Sequence, residues 1–163
     1  MRQTTLCFLL GDSKVLLGMK KRGFGTGKWN GFGGKVAEGE DVAAVARREI
    51  KEEIGVTVAP DDLESVGVLE FDYQDNREEW NQQCTVFIAR RWEGNPVESE
   101  EMRPQWYDIH ALPFDDMWAD DPHWLPLVLA GKKVKGRFLF EDKGGAMINF
   151  AVSEVKESSA ETK

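Results

Sequence analysis

The strongest constraint on this chain is the stretch GKVAEGEDVAAVARREIKEEIGV at residues 34–56. Asp41 is a good N-cap residue, and Gly55 can adopt the left-handed conformation that ends many helices. We therefore predict one helix between these two residues, about three and a half turns long at 3.6 residues per turn. Its apolar stripe, which would face a core, consists of Val42, Ala46, Ile50 and Ile54.

Three glutamates of this helix, Glu49, Glu52 and Glu53, lie at the edge of the apolar stripe because i, i+3 and i+4 positions are neighbours. Exposed like charges at such positions repel by roughly 0.2–0.5 kcal/mol per pair. A hard divalent cation would turn that repulsion into attraction, and Mg²⁺ binds through a few carboxylates plus substrate phosphates. Arg48 precedes Glu52 by one turn and can pair with it. For the six residues REIKEE alone, the alternative is a solvated acidic helix face.

The full string matches the pattern Gly-x5-Glu-x7-Arg-Glu-U-x-Glu-Glu-x-Gly-U without a departure, where U is apolar. Each fixed residue type makes up only several per cent of average composition, so this agreement is not expected by chance. The pattern resembles the box of the Nudix hydrolases, which cleave a nucleoside diphosphate linked to another group and use Mg²⁺ or Mn²⁺. The resemblance implies metal ligation by Gly33, Glu49, Glu52, Glu53 and Glu101 and a catalytic role for Arg48.

The same resemblance implies the fold. We expect an α+β protein, the Nudix α/β/α sandwich, in which a central mixed sheet lies between helices. The box helix and the loop before it would form the catalytic edge, and the alternation of elements along the chain is compatible with this arrangement.

Length and composition place limits on the domain organisation and on the partners. A chain of 163 residues indicates one domain, which we predict at 1–155, followed by a disordered tail at 156–163. No apolar run is long enough for a membrane span. Cys7 and Cys84 lie in strand-like runs, which favours free thiols and a cytoplasmic protein. The formal charge of −8 argues against broad nucleic-acid binding, although a bound metal could still attract an anionic substrate. We expect a monomer.

The rest of the chain reads mainly as strands separated by turns. Predicted strands lie at 3–10, 14–19, 64–73, 84–92, 104–108, 134–140 and 146–155, and a second helix lies at 122–130. Within 64–73, alternation places Val66, Val68 and Glu70 on one face. Residues 74–83 read as a polar hairpin. The loop KKRGFGTGK at 20–28 either contacts phosphate or is a solvated loop.

A second group of candidate functional residues consists of Trp118, Asp120, Asp121 and Trp124. Indole rings stack on nucleobases, and two neighbouring carboxyl groups in a semi-apolar pocket need not both ionise. Such a pair could contact a purine edge that presents both donors and acceptors. In the alternative interpretation the two tryptophans belong to the core and the two aspartates cap the next helix.

Three segments extend the resemblance beyond the box, at 15–36, 95–106 and 113–121. They are similar to the MutT-like Nudix hydrolases that act on oxidised purine nucleoside triphosphates. The resemblance implies base contacts by Asn30, Asp120 and Asp121, and a pocket wall formed by Trp118 and Trp124. It also implies substrate contacts by Thr5 and Lys20. The glycine-rich segment before the box can place backbone groups against an anion or metal. Its candidate substrate-binding residues are Phe32, Gly33, Gly34 and Lys35.

We therefore predict a Mg²⁺-dependent hydrolase, with Mn²⁺ as a possible replacement. It would convert oxidised purine nucleoside triphosphates, such as 8-oxo-dGTP, to the monophosphate and pyrophosphate and so cleanse the nucleotide pool. Either Glu53 or Glu101 could take the proton of the attacking water. One alternative is a Nudix diphosphatase for another nucleotide, such as a normal or methylated dNTP. Another is a nucleotide sensor without turnover.

Overall fold

The computed structural model describes residues 1–74, 80–142 and 145–156. Within these ranges nine strands and two α-helices follow one another along the chain. The strands are β1 (Arg2–Gly11), β2 (Lys14–Lys20), β3 (Trp29–Asn30), β4 (Lys35–Val36), β5 (Leu63–Tyr73), β6 (Gln82–Ala89), β7 (Met102–Asp108), β8 (Val134–Phe140) and β9 (Met147–Glu154). Helix α1 (Val42–Ile54) follows β4, and helix α2 (Asp121–Leu129) follows β7.

All nine strands belong to one mixed sheet. Its main path has the order β3-β2-β1-β6-β5-β8-β9, while β4 pairs with β1 and β7 pairs with β2. The pairs β1–β6 and β5–β8 are parallel, and the other pairs are antiparallel. The sheet therefore brings the start of β1 next to β4, the strand that leads into α1.

Each face of the sheet is covered by one helix. Successive side chains of a strand point to opposite faces, so Cys7 and Leu9 of β1 join one apolar cluster while Phe8 and Leu10 join the other. Helix α1 adds Ala46, Ile50 and Ile54 to the first cluster, and α2 adds Trp124, Leu125 and Val128 to the second. The layers are helix, sheet, helix, which confirms the predicted α/β/α sandwich.

Helix α1 has the predicted ends. The Asp41 carboxylate accepts a hydrogen bond from the Ala44 amide at 2.9 Å. Gly55 has a φ of 77°, and its amide donates to the Lys51 carbonyl at 2.9 Å. The predicted apolar stripe needs one correction: Val42 is only half-buried, and Val45 is buried instead. Val42 lies in the first turn, where the helix has only reached the rim of its cluster.

Strand β5 departs from simple alternation. A β-bulge between Ser65 and Gly67 adds one residue to this strand, so the side-chain pattern shifts along it. Val66 and Leu69 are buried as a result, whereas Val68 and Glu70 are half-buried, and the prediction that Val66, Val68 and Glu70 share a face was wrong.

The remaining predictions for secondary structure agree with the structure to within two or three residues at most ends. Strand β6 begins at Gln82 and ends at Ala89, and β7 already begins at Met102. The middle of the predicted hairpin at 74–83 and nearly all of the predicted tail lie outside the described residues. No helix in the described ranges is both long and apolar enough to cross a membrane.

Candidate active site

A cavity of about 350 Å³ opens where the first residues of β1 meet both helix layers. Its size is at the lower end of the range typical of small-molecule sites. The wall includes residues of β1 and β2, of the glycine-rich stretch, of α1 and of the segment that leads into α2: Thr4, Thr5, Leu6, Lys20, Asn30, Gly31, Gly33, Gly34, Lys35, Glu53, Trp118, Asp120, Asp121 and Trp124. Carboxylates from α1 and from the start of α2 therefore lie at the same cavity.

The glycine-rich loop is held tightly against β1 and α1. The Gly33 amide donates to the Glu53 carboxylate at 3.0 Å. The Gly34 amide donates to the Thr5 hydroxyl at 3.2 Å, and the Gly34 carbonyl accepts from the Thr5 amide at 2.9 Å. A Cβ atom on Gly33 would overlap the Thr5 carbonyl oxygen, so only glycine fits at that position. These contacts fix the orientation of the Glu53 carboxylate at the cavity wall.

Burial and neighbouring carboxylates raise the pKa values of Glu49 and Glu53. Burial raises the pKa of Glu53 to about 8, and the charge of Glu49 contributes in the same direction, whereas the Gly33 hydrogen bond opposes the shift. Burial also raises the pKa of Glu49, with the charge of Glu52 next in importance. The charge of Glu101 makes a smaller contribution to both pKa shifts in the same direction.

The predicted metal ligands fit a hard divalent cation in their chemistry. They supply oxygen donors and an excess of negative charge, which is the environment that such an ion stabilises. Among the described residues, however, no three carboxylate, imidazole or thiol groups converge closely enough to hold one ion. Glu49, Glu52, Glu53 and Glu101 therefore do not form a closed coordination shell in this structure.

Arg48 pairs with Glu52 as predicted, but Glu52 is not its nearest partner. Its shortest ion pair, at 2.6 Å, is with Glu40, while Glu49 lies at 3.6 Å and Glu52 at 4.0 Å. Glu40 is available because the Ala37 amide donates to its other carboxylate oxygen at 2.8 Å, which turns the loop back towards the helix. Arg48 thus ties the loop before α1 to the helix itself.

At another part of the wall two adjacent carboxyl groups are almost completely buried. Asp120 is 4% exposed and Asp121 is 2% exposed. Asp120 accepts a hydrogen bond from the Trp124 indole at 2.8 Å, and Asp121 accepts one from the Trp118 amide at 3.1 Å. Burial raises the pKa of both groups, and the charge of Asp120 raises that of Asp121 further. When the pair holds one proton it presents both a donor and acceptors to the cavity.

The alternative interpretation of this segment is only partly correct. Trp124 is fully buried and packs against Phe8 with ring centroids 6.0 Å apart, so it is a core residue as well as a wall of the cavity. Asp120 occupies the N-cap position of α2, but its side chain makes no capping hydrogen bond. The two carboxyl groups therefore do not serve as helix caps.

Trp118 is half-buried and lies in the cavity wall. Phe24 stacks on it with ring centroids 5.3 Å apart, and the Lys28 ammonium lies 5.3 Å from the ring centroid. Both residues come from the loop at 20–28, for which the sequence left open phosphate contact or solvation. Lys20 and Lys28 of this loop line the cavity, which favours the first possibility for these two cations.

Not all of the predicted substrate residues reach the cavity. Thr5, Lys20, Asn30, Gly33, Gly34 and Lys35 line it, together with the four residues at the start of α2. Phe32 does not, because its side chain is fully buried in the cluster around α1 and its backbone pairs with Cys7. That pairing leaves Phe32 no means of touching a substrate in the cavity. The Glu101 side chain is 62% exposed and lies 3.8 Å from Arg22.

Several wall residues were not predicted from the sequence. They include Phe71, Tyr73, Gln82, Cys84, Met102 and Phe140. Strand alternation could have placed Phe71 and Tyr73 on one side of β5. It could not have shown that the parallel neighbour β8 brings Phe140 beside them, with Tyr73 and Phe140 stacked at 6.0 Å.

Comparison with known proteins places this geometry in a family. The family model described as NUDIX domain matches residues 1–128. The chain is 46% identical over 154 residues to a Mus musculus protein named oxidized purine nucleoside triphosphate hydrolase. This alignment covers 94% of this chain and 96% of the mouse protein. It is 50% identical over 137 residues to a Danio rerio protein of the same name, covering 84% and 85% of the two chains.

A solved structure agrees in fold. The MutT protein of Bacillus halodurans superimposes with a TM-score of 0.77 over 93% of this chain and 97% of that chain, at 22% sequence identity. The family match covers most of the sequence, and the two animal proteins align over most of their length. The chain therefore belongs to the Nudix hydrolases.

Proposed function

We propose that this Nudix hydrolase converts oxidised purine nucleoside triphosphates, such as 8-oxo-dGTP, to the monophosphate and pyrophosphate. The observation that carries the proposal is one cavity with two chemically different parts of its wall. Asp120 and Asp121 form a buried carboxyl pair in one part, and Glu53 and Lys20 lie in another. A purine nucleoside triphosphate needs hydrogen-bonding groups for its base and, separately, cationic or metal-binding groups for its phosphates. The names of the mouse and zebrafish relatives support the same substrate class.

The carboxyl pair accounts for the base preference. Oxidation at C8 of guanine replaces the acceptor at N7 with an N–H donor and adds a carbonyl acceptor, so the edge of the base changes its hydrogen-bonding pattern. A pair that holds one proton can donate and accept at once. We propose that Asp120 and Asp121 contact the base, that Asn30 adds an amide contact, and that Trp118 stacks on the ring, an interaction worth about 1–3 kcal/mol per base.

Nudix hydrolases generally need divalent metal ions, and we propose Mg²⁺ here, with Mn²⁺ as a substitute. The residues that would hold it are Gly33, Glu49, Glu52, Glu53 and Glu101. When bound, the ion supplies positive charge that polarises the phosphates and lowers the pKa of water. The chain itself contributes the ammonium groups of Lys20 and Lys35, which neutralise phosphate charge. Either Glu53 or Glu101 takes the proton from the attacking water.

We also propose that residues 1–155 act as one catalytic domain, as a monomer in the reducing cytoplasm. The wall of the cavity includes residues from Thr4 to Phe140, which supports a single domain. The two cysteines are free and buried, and burial raises the pKa of each thiol to about 12, so neither is reactive at neutral pH.

A kinetic panel tests the proposed function. It compares kcat/KM for 8-oxo-dGTP, other oxidised purines, methylated purines and the unmodified dNTPs and NTPs in the presence of Mg²⁺. We expect oxidised purines to exceed their unmodified counterparts by at least tenfold. A methylated or normal nucleotide at the top of the panel would assign a different substrate. Tight nucleotide binding without any product would instead support a sensor.

A further inference from the structure

The acidic segment Val97–Met102, here called the acidic arm, has a defined position in the fold. At one end the Val97 amide donates to the Ile54 carbonyl at 3.0 Å, which joins the arm to the end of α1. At the other end the arm makes a tight turn in which the Ser99 hydroxyl accepts from the amides of Glu101, at 3.3 Å, and Met102, at 3.1 Å. Glu101 lies in this turn directly before Met102, which lines the cavity.

Lys21 holds this arm through three contacts. Its ammonium donates to the Glu98 carboxylate at 2.6 Å and to the Ser99 carbonyl at 2.9 Å. Its backbone amide donates to the Glu101 carbonyl at 2.9 Å. The basic loop was predicted to face either phosphate or solvent, but Lys21 uses its charge on the acidic arm instead. The next residue in the chain, Arg22, makes only longer ion pairs, at 3.7 Å to Glu100 and 3.8 Å to Glu101.

We propose that Lys21 is a positioning residue for Glu101, because it fixes the acidic arm so that the Glu101 carboxylate faces Glu49 and Glu53. This inference rests on the proposed function, in which these three carboxylates serve the metal. Glu98, Glu100 and Glu101 carry like charges within four residues and would repel one another and the glutamates of α1. The Lys21 ammonium offsets that repulsion at the base of the turn.

The role differs from a contribution to stability. The Lys21 and Glu98 side chains are 33% and 53% exposed, and ion pairs with such exposure stabilise a fold only slightly. Orientation is more sensitive, since groups that hold a metal ligand in place often change metal affinity by 10- to 100-fold when they are removed. Loss of the Lys21 ammonium should therefore affect metal binding and turnover far more than thermal stability.

The test compares Lys21→Met, which keeps the aliphatic stem, with Lys21→Arg, which keeps the charge. The matched control is Lys132→Met, because Lys132 forms an exposed pair of the same kind with Glu154 at 3.2 Å, remote from the cavity. Mn²⁺ affinity of the nucleotide-free protein is measured by electron paramagnetic resonance, alongside kcat and KM. We expect Lys21→Met to weaken Mn²⁺ binding and lower kcat, each about tenfold, with little change in KM. Lys21→Arg should recover most of the loss, and Lys132→Met should match the wild type.

A second variant makes the result decisive. Glu98→Gln should weaken Mn²⁺ binding in the same direction, and its effect should not add to that of Lys21→Met. If Lys21→Met fails to fold, Glu98→Gln alone tests the proposal. Wild-type Mn²⁺ affinity in both variants would overturn the positioning role, as would an equal loss in Lys132→Met. Failure of the substrate panel would refute the proposed function separately, because Mn²⁺ binding is measured without a nucleotide.

Discussion

At the scale of single residues, burial determines what the carboxyl groups around the cavity can do. Asp120 and Asp121 are nearly inaccessible, and their raised pKa values let the pair keep a proton that exposed aspartates lose. Each also accepts one hydrogen bond from the protein, at 2.8 Å and 3.1 Å, which fixes its direction. The pair is therefore rigid and able to change its pattern of donors and acceptors.

Replacement of either aspartate by asparagine should change base selectivity more than turnover. An amide can still form hydrogen bonds, but its donor and acceptor ends are fixed and it cannot take up or lose a proton. We expect Asp120→Asn and Asp121→Asn to change the ratio of kcat/KM between 8-oxo-dGTP and dGTP by roughly 5- to 150-fold, equivalent to about 1–3 kcal/mol. Trp118→Ala serves as the comparison, since it should weaken all purines together. An unchanged ratio in both asparagine variants would show that this segment is only scaffold.

Glu53→Gln should nearly abolish turnover while leaving the protein folded. The glutamine can still accept the Gly33 amide, which now bonds the Glu53 carboxylate at 3.0 Å. It cannot carry the negative charge that a metal ligand or general base needs, and loss of such a group costs about 10²- to 10⁴-fold in rate. Rates are compared under single-turnover conditions, with circular dichroism to check the fold. A folded variant with near-normal kcat would remove Glu53 from the mechanism.

These residues also show how far sequence reasoning reached. Glu49, Glu52 and Glu53 could be placed together because helical spacing alone makes them neighbours. Phe140 could not be placed beside Tyr73. Their contact depends on the parallel pairing of β5 with β8, and these two strands lie far apart in the sequence. The same limit explains Lys21, whose partner Glu98 lies 77 positions further along the chain.

At the scale of elements, α1 was predictable because both of its ends have local chemical signals. The N-cap depends on the side chain of Asp41, and the C-cap depends on the left-handed backbone of Gly55. Both residue types are recognisable in the sequence. The bulge in β5 has only the weaker signal of Gly67 inside the strand, because its position depends on the register of β5 against β6. Val68 and Glu70 were therefore wrongly placed on the same face as Val66, although the strand itself was predicted correctly.

The end of α1 offers a test of this local chemistry. Gly55 has a φ of 77°, and a Cβ atom there would lie 3.3 Å from a methyl group of Val97. Gly55→Ala should lower the free energy of unfolding by the left-handed penalty of about 1–2 kcal/mol and by the cost of this close contact. Gly131→Ala is the control, because Gly131 has a φ of 92° with nothing within 4 Å of the added Cβ. Urea denaturation should show the larger loss at Gly55, and equal losses would exclude a contribution from Val97.

At the scale of the whole molecule, the cavity depends on both layers of the sandwich. Glu53 comes from the helix on one face of the sheet, and Trp124 comes from the helix on the other. The site exists only when the sheet holds both helices at the start of β1. Charge at these buried positions is costly, so the stability of the fold is linked to the protonation of its site.

The pH dependence of stability tests that link. Asp121 has its pKa raised well above its ordinary value of 3.8, mainly by burial. Between 3.8 and that raised value the folded protein binds a proton that the unfolded chain has lost, so its stability is present at low pH and falls as pH rises. The slope can reach about 1.4 kcal/mol per pH unit for one proton.

Asp121→Asn removes this titration, because the amide can accept the Trp118 amide without carrying a charge. Relative to the wild type, the variant should therefore gain stability as pH rises from 4 towards neutrality. Urea denaturation of the metal-free proteins at several pH values gives the difference in unfolding free energy directly. Asp61→Asn is the control, since Asp61 is exposed on the surface and far from the cavity wall. A difference between Asp121→Asn and the wild type that stays constant with pH would mean that the buried pair is ionised at low pH and does not hold a proton for the base.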